Sequence, residues 1–273
     1  MKSWPFSPRH IVLMPLAAVM LLPLAWMLVT SIETLAESRH FPPTIVPSGI
    51  HWENYPNALD SAPFGRFFAN SLVVTLASVA GNLVFCSLAG YAFARLRFFG
   101  RDVIFIVLLA TLMVPFQVTM IPTFLIVQHL GLVNSLGALI APNLVTPFGI
   151  FLLRQFFRTL PIDLEEAARI DGCSRLGVLF RVVLPLSMPA LATLGIVTFL
   201  WTWNDFLWPL VTLPFNEGAY TLQVGLASFQ GAHQTEWNLL MAGNVMALAP
   251  MLLVFVFAQR WFVQSIAATG VKG

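Results

Sequence analysis

From Val103 to Leu153 the chain reads VIFIVLLATLMVPFQVTMIPTFLIVQHLGLVNSLGALIAPNLVTPFGIFLL, 51 residues without one Asp, Glu, Lys or Arg. One helical crossing of a hydrocarbon core takes about 20 apolar residues. This run therefore holds two crossings, divided near Gln128–Ser135. Four further charge-free runs hold one each: His10–Ile32 (23 residues), Phe67–Ala94 (28), Val182–Asn204 (23) and Trp237–Gln259 (23). The first is longer than the apolar region of a secretory signal, about 7–15 residues, and no small-x-small site follows it, so it is read as a membrane anchor.

Composition agrees with that count. Of 273 residues, 58% are hydrophobic and 10% are charged, against about 25% charged in soluble domains. So few charges cannot coat a soluble fold of this size, and so apolar a chain is not disordered. The expected fold is an all-α integral membrane protein of six transmembrane helices. They form one transmembrane domain over 1–273, with spans near 10–32, 67–94, 103–127, 136–153, 184–207 and 239–260.

The positions of the cations orient the spans, because cytoplasmic loops collect Lys and Arg. With six spans both termini share a side. That side holds Lys2, Arg9, Arg95, Arg97, Arg101, Arg154, Arg158, Arg169, Arg175, Arg181, Arg260 and Lys272, leaving only Arg39 and Arg66 opposite. Both termini are thus expected in the cytoplasm, with the chain multi-pass in the plasma membrane. Outside lie a loop of roughly 33–66, a very short one near 128–135 and a third near 208–240.

Several chemistries are absent from the sequence. There is no H-E-x-x-H and no G-x-S-x-G, the signatures of one metalloprotease class and of serine hydrolases. The five histidines show no ligand spacing, and Cys86 and Cys173 read as unpaired thiols. A Walker A loop ends in Gly-Lys-Ser/Thr, and neither Lys2 nor Lys272 sits in one. No catalytic residue, metal site or bound cofactor is expected in this chain, and no nucleic-acid partner. The chain is not expected to hydrolyse ATP itself; if it takes part in active transport, the energy enters through another subunit.

Pro115, Pro122, Pro142 and Pro147 all fall inside the 51-residue run. Prolines break helices, and in membranes broken helices line polar routes. Gln117, Asn143, Thr146 and, at the end of helix 5, Asn204 are the candidate pathway residues. Asp205 reads as a polar contact at the interface, and Trp201, Trp203 and Trp208 as interfacial aromatics.

The cytoplasmic loop 154–183 concentrates five arginines and four acids. Asp163 suits an N-cap, with Glu166 three residues on as a capping-box partner. Gly172 suits a left-handed helix end, and Ser174 a second N-cap. A two-turn helix is unstable alone, so it needs a neighbouring surface. The small Ala167 and Ala168 would let one approach. The segment reads as a docking knob.

Glu166-Ala167-Ala168, then Gly172, then nine residues and Val182-Val183-Leu184-Pro185 resembles the E-A-A-x-x-x-G…I-x-L-P signature of permease subunits of binding-protein-dependent ABC importers. Only Val182 departs, conservatively. Ala168-Arg-Ile-Asp171-Gly172, Asn70-Ser71, Ala89-Gly-Tyr91-Ala-Phe-Ala-Arg95 and Trp203-Asn204-Asp205-Phe206 resemble the carbohydrate-uptake branch, and the ending Gly270-Val271-Lys272-Gly273 resembles its maltose and glycerol-phosphate type subunit; Ser265-Ile-Ala-Ala-Thr departs from that tail. The resemblance implies a short coupling helix between helices 4 and 5. Its ATPase-coupling residues are Glu165, Glu166, Ala167, Ala168, Asp171 and Gly172, and the ATPase-contacting tail is Gly270–Gly273. It also implies partners: a second six-span permease, two ATPase subunits and an extracytoplasmic solute-binding protein, besides membrane lipid. The cargo would be a sugar, oligosaccharide or polyol phosphate. A stand-alone carrier or channel is the rival, disfavoured by spans without ionisable groups at depth.

Overall fold

The computed structural model describes residues 9–230 and 235–270. Its helices are, in order, α1 (Arg9–Thr30), α2 (Leu35–Ser38), α3 (Asn54–Asp60), α4 (Phe64–Arg95), α5 (Arg101–Thr111), α6 (Phe116–His129), α7 (Leu136–Ile140), α8 (Pro147–Phe157), α9 (Ile162–Ile170) and α10 (Arg175–Val178). After a π-helical turn at Leu179–Val183 come α11 (Leu184–Leu186), α12 (Met188–Trp203), α13 (Leu207–Thr212), α14 (Leu222–Ala227) and α15 (Trp237–Gly270). An isolated bridge, Gln230 to Thr235, is the one extended pairing among the described residues.

Four stretches are long and apolar enough to cross a membrane: His10–Thr30, Phe64–Arg95, Leu136–Phe157 and Trp237–Phe257. Two more arise if each bent pair is one crossing. One is α5 with α6, bent by 108°, and the other is Arg175–Leu186 with α12, bent by 82°. The expected span 103–127 is thus two helices meeting at a sharp angle. Pro115 stands before α6 in an extended conformation (ψ 141°) and cannot donate to the turn before it. Pro147 opens α8 and Pro142 sits in the first turn of the 3₁₀ segment Ala141–Asn143. Proline is tolerated at both places, since the missing N–H would be unpaired anyway. Pro122 does lie inside its helix.

The chain forms two compact units, 1–65 with 225–250, and 66–224 with 251–273. In the first, α1 presents apolar side chains from Ile11 to Leu24 outward. Its end is tied by Asn54, whose side chain donates to the carbonyls of Ser31 (3.0 Å) and Glu33 (2.8 Å) and accepts from Asn238 (3.0 Å). The following loop is stapled at Glu37. That carboxylate accepts from the Ser48 N–H (2.8 Å) and from both the N–H and hydroxyl of Thr34 (2.9 Å each).

In the second unit, α4 and α8 pack closely. A side chain at Gly90 would stand 3.2 Å from the Arg154 nitrogen and the Leu153 Cβ, and one at Gly149 only 2.7 Å from Asn82 and Cys86. Small residues at such crossings let membrane helices approach. Asn82, fully buried, serves the break before α8. It donates to the Asn143 carbonyl (3.0 Å) and accepts from the Thr146 hydroxyl (3.2 Å) and the Cys86 thiol (3.2 Å). Below it lies the unit's larger core of Phe105, Leu153, Phe157, Val178, Leu179 and Leu194.

Asn82→Leu would strand a buried carbonyl and hydroxyl, each costing about 1–3 kcal/mol. The expected result is a marked fall in thermal unfolding temperature in detergent. In the first unit, hydrogen bonds from Ser48 first and then Thr34 pull the Glu37 carboxyl from 4.5 down to about 2. A depressed carboxyl stabilises above its ordinary value and loses that contribution as pH falls through the folded one. The segment 34–48 should therefore resist pepsin until the pH drops from 4.5 toward 2, whereas Glu37→Gln should be nicked at the start of that range.

Candidate functional site

Helix α9 begins at Ile162 behind Pro161, whose φ of −57° suits a helix entry and which offers no side-chain cap. Asp163 therefore lies in the first turn and not at the N-cap. There, with Glu165, it still complements the positive end of the helix dipole. The other end is built as expected. Gly172 is left-handed (φ +87°); its N–H donates to the Arg169 carbonyl (3.1 Å), and the Cys173 N–H donates to that of Ala168 (2.9 Å). This paired pattern is a Schellman ending. Ser174 then caps α10 by accepting from the Gly177 N–H at 3.1 Å.

The two adjacent glutamates face opposite ways. Glu166 is exposed, whereas Glu165 is buried. The Glu165 carboxylate takes the Arg95 Nε–H at 2.6 Å and the Tyr91 hydroxyl at 3.2 Å, and the Arg95 Nη2 donates to the Leu160 carbonyl at 2.8 Å. Both side chains of the ion pair are nearly out of solvent, 12% and 6% exposed. Ala168 also turns inward, against the core. Glu165 and Ala168, three positions apart, thus turn inward, Glu165 anchoring α9 to the end of α4, and Glu166, Ala167, Asp171 and Gly172 form its free face. Ile170, 87% exposed, adds an apolar contact point that the motif does not mark. Leu164 is likewise exposed. Such side chains on a polar helix point to a partner surface.

Sequence reasoning finds the knob but not its tether. Tyr91 and Arg95 are 70 or more positions away from Glu165, and nothing local signals the pairing. Of the expected tail, Gly270 ends α15; Val271, Lys272 and Gly273 lie outside the described residues. Among the pathway candidates, Asn143 and Asn204 come together on one cavity of about 620 Å³. Gln117 does not line it. The Thr146 hydroxyl is engaged, accepting from the Gly149 N–H (3.1 Å) to cap α8.

With this geometry in place, the comparisons with known proteins are direct. Residues 86–268 match the family described as binding-protein-dependent transport system inner membrane component. The chain belongs to that family. An arabinooligosaccharide transport system permease protein, AraQ, of Halalkalibacterium halodurans is 39% identical over 228 residues, 83% of this chain and 81% of that one. A sn-glycerol-3-phosphate transport system permease protein, UgpE, of Pectobacterium atrosepticum is 36% identical over 233 residues, 82% and 83% of the two chains. A solved bacterial ABC transporter involved in import of the acidic polysaccharide alginate contains a chain matching at TM-score 0.79 and 27% identity, over 95% of this chain and all of that one. The protein is a multi-pass membrane permease subunit of an ABC importer of the carbohydrate-uptake type, and the subunit is not itself an enzyme.

Removing one partner of a buried ion pair leaves the other uncompensated, a loss of about 3–5 kcal/mol. In this permease Glu165→Ala should therefore loosen α9 more than Glu166→Ala. Limited proteolysis between Arg158 and Arg175 should detect it, and the double variant Arg95→Leu with Glu165→Leu should recover much of the protection.

Proposed function

We propose that the permease carries a sugar, oligosaccharide or polyol phosphate across the plasma membrane on energy supplied by two separate ATPase subunits. A second six-span permease completes the pathway and an extracytoplasmic solute-binding protein delivers the cargo. Each bent helix pair counts as one crossing, giving six, with both termini in the cytoplasm. Twelve of fourteen cations at one end of the spans support that orientation. ATP and Mg²⁺ belong to the partners. The functional residues in this chain are the coupling set Glu165, Glu166, Ala167, Ala168, Asp171 and Gly172, with Gly270–Gly273 as a second ATPase contact.

One observation carries this reading: a short helix clamped from behind by Arg95 and presenting Glu166, Ala167 and Ile170 outward. The clamp makes α9 rigid with α4, and the free face seats in a cleft of an ATPase subunit. Movement of that cleft then displaces α4 as a unit. Glu165 acts by positioning α9, and Glu166 by touching the ATPase.

Space is no obstacle at Gly172, where an added Cβ would meet nothing within 4 Å. Only its backbone is demanding, since a left-handed conformation costs an ordinary residue about 1–2 kcal/mol. Gly172→Val should thus lower ATP-driven uptake in proteoliposomes on the order of tenfold, while the complex still assembles. Gly172→Asn, which tolerates that conformation, should keep most of the uptake. Chelating Mg²⁺ should stop uptake, and the permease purified alone should hydrolyse no ATP.

A further inference from the structure

The cavity that gathers Asn143 and Asn204 lies between the 3₁₀ break before α8 and the end of α12, within the second unit. Its wall is largely apolar, with three aromatic rings: Phe116 and Trp208 meet edge to face at 5.9 Å, and Trp201, 59% exposed, lies against Phe148 at 5.4 Å. Its polar side chains are Asn143, Thr202, Asn204 and Asp205. The amides of Asn143 and Asn204 donate back to the Leu139 and Leu200 carbonyls (2.9 and 2.8 Å), which turns their side-chain oxygens outward as acceptors. Asp205 accepts the Trp208 N–H through Oδ1 at 3.3 Å. Among the described residues, no donor within the chain reaches its Oδ2 or either asparagine Oδ1. No Lys, Arg or His lines the cavity.

A carboxylate and two amide oxygens are costly to present to hydrocarbon and persist where they face a wet pathway. Ligand sites are mostly apolar with a few placed polar groups, and this one offers aromatic surface, neutral amide and hydroxyl groups and one carboxylate, with no cation. Hydroxyl donors on a flat, partly apolar ring satisfy it. A phosphate, sulfonate or carboxylate finds no cation to neutralise it and meets the Asp205 carboxylate. We propose that this cavity is a saccharide subsite on this permease half and that it selects a neutral polyhydroxylated cargo over an anionic one. The proposal rests on the importer reading above and narrows it.

The test uses the complete transporter with its binding protein in proteoliposomes. The probes are arabinotriose and maltotriose (neutral), sn-glycerol 3-phosphate and trigalacturonate (anionic), and spermidine (cationic). Neutral saccharide should be taken up, and Asp205→Arg and Asn204→Leu should each reduce its uptake about tenfold or more, as expected for losing a hydrogen bond to a charged or buried acceptor. Assembly of the complex should be unchanged. Asp205→Asn, which keeps an acceptor for the Trp208 N–H, should give an intermediate loss and guards against a folding defect in the arginine variant. Quenching of indole fluorescence by arabinotriose in the resting complex should vanish in Trp201→Phe.

Uptake of an anionic or cationic probe alone would overturn the subsite while leaving the importer reading intact. So would neutral uptake indifferent to all the Asp205 and Asn204 variants. A wild-type complex that takes up none of the probes with ATP overturns the importer reading, and the subsite with it.

Discussion

Within hydrocarbon there is no water to satisfy a broken helix, so every freed backbone group must find a partner in the protein. Here that constraint is met by α4. At mid-helix, Asn82 receives the break that Pro142 and Pro147 impose, taking the Asn143 carbonyl and the Thr146 hydroxyl. Nearer its start, Asn70 donates to the Gly218 and Tyr220 carbonyls at 2.9 and 3.0 Å, and the Ser71 hydroxyl accepts the Leu222 N–H at 2.8 Å. At its end Arg95 and Tyr91 hold Glu165. Three irregular segments thus depend on one regular element of 32 residues.

This arrangement has a mechanical consequence. A helix of that length extends about 48 Å at 1.5 Å per residue, so the same rod that carries the α9 tether also carries the loop around Gly218–Leu222. Packed helices shift as bodies and do not stretch, because interiors are close-packed. In the proposed coupling, a displacement applied to α9 travels along α4 to Asn82 and the broken segment that it ties. The lack of a side chain at Gly90 and at Gly149 leaves the neighbouring α8 close enough to follow.

How much of this was legible follows from the range of each signal. Charge-free runs marked the apolar helices because lipid imposes a length on each one locally. Gly172 and Ser174 were legible because caps depend on a residue and its near neighbours. Two features were not. The 108° bend before α6 needs more than Pro115, since Pro122 sits within a continuous helix. The opposite facing of Glu165 and Glu166 is set by Arg95, across 70 positions, a distant partner deciding what the local pattern left open. Thr146, polar in an apolar run, caps α8 through Gly149, a role set by near neighbours.

The distribution of charge links orientation to selectivity. Keeping nearly all cations beyond one end of the spans leaves the cavity wall without Lys, Arg or His. Asn143 and Asn204 each spend one amide N–H on a carbonyl four residues back. A pathway built this way discriminates without a dedicated binding cation: an anion must lose its water and gains no compensating charge in return, whereas a hydroxyl exchanges one neutral partner for another at little net cost. An importer of anions on the same scaffold needs a cation in that wall. A single residue such as Asp205 is where the exchange would be made.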